Sequence, residues 1–313
     1  MSAATDSLAA DHRTLTEQVG LVDRSERGKL ALTGREAREF LHGQVTNDIE
    51  ALEPGQGCYA AFLTHKGKML GDLRVLHIGD ELFLDTERVA LQELFNMIRR
   101  FKLGRDVELH KRTVERALLS LIGPGARDAA GAAELGPDEH DNAPGVIGGD
   151  PVRLVATDVG VDIICDPGKA EAIKAALGVP EVPEAVAEIV RVERGRPRYG
   201  VDLDDSVIPQ EAGLNERAVN FEKGCYVGQE TVARLYYRGK PNRHLRGLRL
   251  SEPVASGTPL RLGEREVGRV GSSVVSPVHG PIALAIVRRE ASPGDTLAAG
   301  EGGATATVVE LPF

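Results

Sequence analysis

Residues 222–234 read EKGCYVGQETVAR and carry the most specific chemistry in the sequence. Cys225 lies between Gly224 and Gly228, and Lys223 precedes it by two residues. Glycines permit a positive φ and a close approach of the backbone, while a neighbouring cation or the start of a following helix favours thiolate over thiol. Free cysteines are more often small buried hydrophobes. The stretch therefore predicts either a reactive thiol or a structural cysteine at a tight turn.

Three further segments accompany this motif: TGREAREFL at 33–41, ERGRP at 193–197 and PQEAGL at 209–214. Together with KGCYVGQETVAR and the Tyr-Arg-Gly at 237–239, they resemble the YgfZ family. That family belongs to the wider group of the glycine-cleavage T-protein, an aminomethyltransferase, and the resemblance covers nearly the whole chain. It implies an α+β fold with two N-terminal α+β subdomains of the aminomethyltransferase folate-binding type and a C-terminal all-β barrel.

The sequence pattern divides the chain into three parts. Residues 1–20 read as a mobile or loosely docked lead-in and residues 241–313 as the barrel, while the resemblance implies that residues 21–240 form a folate-binding region of two interleaved α+β subdomains. Hairpin-like strand pairs and an amphipathic helix with Leu94 and Ile98 on one face favour α+β structure in the middle part. After residue 241, short β-type runs recur between glycines and prolines without helical periodicity, which favours a small barrel or sandwich.

Composition and charge narrow the function classes. The chain has 313 residues, 42% of them apolar, and a formal net charge of −9, which argues against a wholesale nucleic-acid binder. Its three cysteines, Cys58, Cys165 and Cys225, fit neither a secreted disulfide framework nor a paired zinc motif, and its histidines show no metal-binding spacing. The N-terminus lacks an apolar signal core, and the apolar runs are too short to span a bilayer. These observations predict a cytoplasmic protein without a metal site or a membrane contact.

Glu193 is the first candidate for ligand binding. Val186, Ile189 and Val190 mark the apolar face of a predicted helix, and Glu193 lies on the same face. A carboxylate on the core side needs a partner, which is either a structural ion pair or a ligand. A pterin offers adjacent N–H donors for two parallel bonds to one carboxylate, and the glutamate that matches Glu193 in the T-protein family contacts the pteridine. The resemblance therefore implies that Glu193 binds tetrahydrofolate.

Asp72 and Tyr59 are the next candidates. Asp72 aligns with the second of two paired aspartates near the reactive edge of the folate in the T-protein, and Tyr59 matches an aromatic residue of the same site. Taken alone, Asp72 reads as a half-exposed strand residue and Tyr59 as a core aromatic. The resemblance implies that both line the folate pocket and that Asp72 is catalytic. Gly71 replaces the first acid of the pair, which speaks against aminomethyl transfer.

A basic run follows the cysteine motif without an interrupting acid: Arg234, Arg238, Lys240, Arg243, Arg246 and Arg249. It is either a solvated strand face, a site for the glutamyl carboxylates of folate, or an RNA contact in which Tyr236 and Tyr237 take part. The predicted folate contacts from this region and the motif before it are Lys223, Tyr226, Arg234 and Arg238.

Three functions remain open at this point. The first is a tetrahydrofolate-binding accessory factor for iron–sulfur cluster assembly or repair in client enzymes, including a tRNA methylthiotransferase. In it, Cys225 is the catalytic thiol, acting on a folate-bound one-carbon unit or as a transient cluster or redox ligand. We expect Cys225 and Glu193 to converge on one pteridine-shaped cavity. The second function is a folate-dependent aminomethyltransferase with a lipoyl-carrier partner, and the third is an RNA-binding module that uses the basic run.

Overall fold

Three β-sheets organise the chain, and the computed structural model describes residues 3–313, with side chains from Asp6 onward. The helices are α1 (Ala3–Glu17), α2 (Ala37–His42), α3 (Leu91–Phe101), α4 (Ala126–Ala129), α5 (Ala170–Leu177), α6 (Glu184–Glu193), α7 (Asn215–Ala218) and α8 (Gln229–Arg238). The first ten strands are β1 (Gly20–Asp23), β2 (Gly28–Thr33), β3 (Gly57–Leu63), β4 (Met69–Ile78), β5 (Glu81–Thr86), β6 (Glu108–Lys111), β7 (Ala117–Ile122), β8 (Asn142–Ile147), β9 (Asp150–Thr157) and β10 (Gly160–Cys165). The last six are β11 (Arg243–Leu250), β12 (Pro259–Leu262), β13 (Arg265–Ser276), β14 (Gly280–Arg288), β15 (Thr296–Ala299) and β16 (Ala304–Val309).

The first ten strands form two antiparallel sheets of five strands each. Sheet one has the order β3-β4-β5-β2-β6, and sheet two has the order β1-β7-β10-β9-β8. The chain starts sheet two with β1, builds all of sheet one, and then returns to sheet two with β7. The two sheets are thus interleaved along the sequence.

Side-chain alternation along β4 and β10 creates a polar layer between the two sheets. On β4, Leu73 and Val75 join the apolar core under sheet one. Because successive strand residues point to opposite faces, Asp72 and Arg74 face the other way, toward sheet two. On sheet two, the Asp162 carboxylate of β10 accepts a hydrogen bond from Arg74. The space between the sheets therefore combines buried charges with a small apolar cluster.

The C-terminal strands close into a barrel with the order β11-β14-β13-β12-β15-β16. Its interior is filled by aliphatic side chains such as Leu248, Val270, Leu297 and Val308. The predicted fold class, two α+β subdomains and an all-β barrel, is confirmed. Within residues 3–313, no helix is both long and apolar enough to cross a membrane.

The N-terminal segment differs from its prediction. Residues 3–17 form α1, which packs against α6. Leu15 is buried in a cluster with Val186 and Val190 of α6, and His12 is also buried. The predicted mobile or loosely docked lead-in is therefore wrong for these residues, because α1 has an apolar face that α6 covers.

Candidate functional site

Tyr59 on β3 and Asp72 on β4 meet in the layer between the two sheets. In the register of these strands Tyr59 pairs with Arg74, and Ala61 pairs with Asp72. Tyr59 and Asp72 are thus diagonal neighbours on one face, within reach of long side chains. The Tyr59 hydroxyl donates a hydrogen bond of 2.6 Å to Asp72 Oδ2. The structure therefore brings two of the predicted site residues into direct contact.

The buried position of Asp72 changes its acid–base behaviour. Burial raises the pKa of Asp72 to about 6, against the lowering effects of the Tyr59 hydroxyl and the Arg27 guanidinium. Burial and the neighbouring carboxylate also raise the pKa of Tyr59 well above its usual value. The phenol therefore keeps its proton, while Asp72 changes charge close to neutral pH. Such a carboxyl group in a cleft is typical of functional sites.

Asp72→Asn tests this protonation through the pH dependence of stability. The folded protein binds the Asp72 proton more tightly than the unfolded chain, in which the pKa is about 3.9. The resulting stabilisation is present at low pH and is lost as the pH rises through about 6. We expect the free energy of unfolding of D72N, relative to wild type, to rise by roughly 2–3 kcal/mol between pH 4 and pH 7 and to level off above. Urea unfolding across this range measures it, and a pH-independent difference would contradict the raised pKa.

A cavity of about 230 Å³ opens beside the Tyr59–Asp72 pair, lined by both sheets and by α6. Arg74 donates hydrogen bonds of 2.7 Å to Asp85 and to Asp162, and so joins sheet one to sheet two across the cavity wall. The arginines of the wall are Arg24, Arg27, Arg74, Arg191, Arg194, Arg196, Arg198 and Arg217. Asp85 and Asp162 belong to the same wall, so its positive charge is partly compensated. The cavity surface is mainly apolar, and its arginines are paired with carboxylates such as Glu184, Asp158 and Glu139.

Glu193, at the end of α6, lies in an adjoining cavity of about 460 Å³ that shares Val190 and Arg194 with the first. Its two carboxylate oxygens lie 2.9 and 3.0 Å from His12 Nε2, and Oε1 accepts a hydrogen bond of 2.5 Å from Ser276 Oγ. The carboxylate thus ties α6 to α1 and to the barrel. Glu193 is not among the described residues that line the Tyr59–Asp72 cavity, so the structure does not bring it together with Tyr59 and Asp72.

Lys223 and Tyr226 anchor the cysteine motif rather than line this cavity. The Lys223 ammonium donates to the carbonyl oxygens of His42, Val45 at 2.7 Å and Asn47 at 3.0 Å. Burial lowers the pKa of Lys223 to about 8. Tyr226 is buried in a core cluster, and the Lys223 Nζ lies 5.0 Å from the centre of its ring. In this structure the Lys223 side chain bonds to the backbone after α2 and the Tyr226 side chain packs in the core; their folate contacts stay predictions.

Cys225 is held at the surface by these two anchors. Its side chain is exposed, whereas Cys58 is half-buried and Cys165 is buried. Burial raises the pKa of Cys58 to about 12 and that of Cys165 to about 11, so both keep their protons. Cys225 does not belong to the described lining of either cavity. The Cys225 side chain is exposed, and the Glu193 carboxylate contacts α1 and the barrel; their convergence on one cavity stays a prediction.

The basic run is divided between a helix and a strand. Arg234 and Arg238 are exposed on α8, and neither is among the described residues of the Tyr59–Asp72 cavity. On β11, Arg243 pairs with Glu211 at 2.8 Å and Arg246 with Glu310 at 3.3 Å. Because both side chains are exposed on α8, the role of Arg234 and Arg238 in folate binding stays a prediction. An RNA contact of this surface stays a prediction.

Sequence reasoning missed the cavity residues that come from outside the recognised motifs. Arg74 follows Asp72 by two residues and shares its strand face, so the strand period could have identified it. Arg217 lies 5.3 Å above the ring of Tyr59, and His140 lines the cavity from the segment before β8. His140 comes from a stretch rich in glycine, alanine and proline, where no periodic signal exists.

Comparisons with known proteins agree with this architecture. Residues 1–142 match the GCVT N-terminal domain, and residues 243–313 match the glycine cleavage T-protein C-terminal barrel domain. The aminomethyltransferase of Halothermothrix orenii is 27% identical over 329 residues, covering 98% of this chain and 91% of that protein. A chloroplastic protein of Arabidopsis thaliana, named only as a transferase, is 28% identical over 312 residues, covering 94% of this chain and 71% of that protein.

A solved structure shows the same fold. The glycine cleavage system aminomethyltransferase T of Bartonella henselae superposes with a TM-score of 0.86 at 24% identity, covering 98% of this chain and 89% of that one. The two interleaved sheets and the closed barrel thus form an aminomethyltransferase-like fold. Residues 1–142 resemble the GCVT N-terminal domain and residues 243–313 resemble the C-terminal barrel domain of the glycine cleavage T-protein, in the same chain order as the two parts of the fold.

Proposed function

We propose that this chain binds tetrahydrofolate in the Tyr59–Asp72 cavity. The observation that carries the proposal is the partly buried Tyr59–Asp72 hydrogen bond of 2.6 Å beside a cavity between two sheets. Arg74 and Arg217 both line this cavity. The Nε atom of each is buried and has no hydrogen-bond partner among the described residues. Because buried polar groups are normally hydrogen-bonded, such donors fit a ligand with several acceptors, as folate has.

In this proposal, different side chains of the protein bind different parts of folate. The Asp72 carboxylate accepts N–H donors of the ligand, and Tyr59 fixes that carboxylate from the other side. A folate that extends into the adjoining cavity meets Glu193 there, and the pterin role of Glu193 then requires it to release His12 or Ser276. When bound, tetrahydrofolate supplies a carrier for one-carbon groups.

We infer further that the protein acts as an accessory factor in iron–sulfur cluster assembly or repair, with Cys225 acting on client enzymes. The support is the placement of the thiol: it is exposed on a loop that Lys223 and Tyr226 fix to the core. A thiol outside the folate cavity is accessible to a partner protein rather than to a bound one-carbon unit. The geometry therefore favours a transient cluster ligand or a redox thiol. Location in the cytoplasm stays a prediction.

Aminomethyl transfer is the second candidate. It is favoured by the raised pKa of the Asp72 carboxyl group and by the relative that is named aminomethyltransferase. Gly71 counts against it. A Cβ at Gly71 would lie 2.5 Å from the ring of Phe62 and 2.8 Å from Ala90 Cβ, closer than real contacts allow. The paired acid of the T-protein site therefore has no room at this position.

The two candidates are separated by one activity assay. We expect the purified chain to form no methylene-tetrahydrofolate above background when it is mixed with tetrahydrofolate and an aminomethyl-lipoyl carrier protein. A glycine-cleavage aminomethyltransferase under the same conditions serves as the positive control. Robust turnover by this chain would reverse the order of the two candidates.

A further inference from the structure

Three residues that line the Tyr59–Asp72 cavity have buried polar side-chain atoms without a hydrogen-bond partner among the described residues. Both ring nitrogens of His140 are buried and have no hydrogen-bond partner among the described residues, like Nε of Arg74 and Nε of Arg217. All three residues line the same cavity. A buried polar group left without a partner costs about 1–3 kcal/mol. Unpartnered groups gathered at one cavity are typical of a site whose partner is a ligand.

The backbone of His140 is held in an unfavourable conformation. Its φ is +78°, and in the described part of the chain it is the only non-glycine residue with a positive φ. Such a conformation costs of order 1–3 kcal/mol and persists where the surroundings fix it. The amide of His140 donates a hydrogen bond of 2.8 Å to the carbonyl of Ala156, and its own carbonyl accepts one of 3.3 Å from Asn142 Nδ2. The backbone is fixed on both sides of the residue while the imidazole is left without a bond.

The imidazole of His140 is a neutral group in this setting. Burial lowers the pKa of His140 to about 3, and the nearby positive charges of Arg74 and Arg217 act in the same direction. A neutral imidazole has one N–H donor and one nitrogen acceptor. It therefore suits an uncharged polar group better than a carboxylate, for which the cavity already provides arginines.

We propose that His140 is a ligand-binding residue of the Tyr59–Asp72 cavity and hydrogen-bonds an uncharged amide or lactam group of the ligand. The proposal rests on the proposed function, in which that ligand is tetrahydrofolate. The charged groups near His140 are Arg74, Arg217 and Asp85, together with Glu139, whose Oε1 lies 3.6 Å from His140 Nε2, beyond hydrogen-bond distance.

His140→Phe, His140→Asn and His77→Phe test this role together. His77 is the matched control, since it is a buried histidine whose Nδ1 has a partner, the carbonyl oxygen of Leu52 at 3.0 Å, and it is outside the described cavity lining. Phenylalanine keeps the ring shape and removes both nitrogens. Asparagine keeps a donor and an acceptor and tolerates a positive φ. The readouts are the affinity for tetrahydrofolate by anaerobic calorimetry and the melting temperature without ligand.

We expect H140F to weaken tetrahydrofolate binding by tenfold or more while its melting temperature stays at or above that of wild type. H140N should recover part of the lost affinity. H77F should lower the melting temperature and keep the affinity. Wild-type affinity in H140F, or a melting temperature that falls as it does in H77F, would overturn the role of His140. If wild type itself does not bind tetrahydrofolate, the proposed function fails, and this inference fails with it.

Discussion

Cys225→Ala should abolish complementation of an iron–sulfur repair defect while leaving folding and folate affinity near wild type. The Cys225 thiol is exposed and is not among the described residues that line the cavity. Its removal therefore eliminates the reactive group without creating a cavity in the core. The measurement is growth of a strain that lacks its own repair factor and carries the variant, together with calorimetry of the purified protein.

The other two cysteines provide matched controls for this experiment. Cys58→Ala and Cys165→Ala should complement, because the burial that raises the pKa values of both thiols keeps them protonated and away from partners. Cys165→Ala carries a modest packing cost, since Cys165 belongs to the core of sheet two. Full complementation by C225A would make the cysteine structural and remove the iron–sulfur part of the proposal.

Arg74→Ala has the largest expected effect on stability. Arg74 holds Asp85 and Asp162 from two different sheets, and all three side chains are buried. Without it, Asp162 keeps only the 2.6 Å bond from Ser120 Oγ among the described residues. Removing one partner of a buried ion pair costs about 3–5 kcal/mol, and urea unfolding at pH 7 should show a loss of that size.

Two comparisons isolate the cause of this loss. Arg35 pairs with Asp106 on the surface with an almost fully exposed side chain, so Arg35→Ala should have far less effect on the free energy of unfolding than Arg74→Ala. The double variant Arg74→Met/Asp162→Asn should be more stable than Arg74→Met alone, because it removes the orphaned charge. Equal losses for Arg74→Ala and Arg35→Ala would show that the buried network does not join the sheets energetically.

The sequence was informative where local patterns determine the structure. Short strand runs separated by glycines and prolines predicted a small barrel or sandwich, and the resemblance placed Tyr59 and Asp72 in one site, where the hairpin register makes them diagonal neighbours. The motif around Cys225 was identified from its glycines. Each of these features depends on neighbours close in sequence or on a strand period.

Contacts between distant segments were beyond this reasoning. Glu193 needed a partner, but nothing in its helix indicated that His12, 181 residues earlier, would supply it. The position of Lys223 beside Cys225 suggested a role in activating the thiol or binding folate, whereas its ammonium serves carbonyls 176 to 181 residues away. His140 enters the cavity through a non-periodic segment whose conformation is set by sheet two. Such long-range pairings depend on how the sheets and helices assemble.

The central claim is that the cavity beside Tyr59 and Asp72 binds tetrahydrofolate. Anaerobic calorimetry of tetrahydrofolate with wild type and D72N at pH 8, where the Asp72 carboxyl is ionised, tests it most directly. Wild type should bind one molecule per chain, and D72N should bind about tenfold or more weakly, as expected for the loss of a charge-assisted hydrogen bond. No binding by wild type, or equal affinity for the two proteins, would contradict the claim.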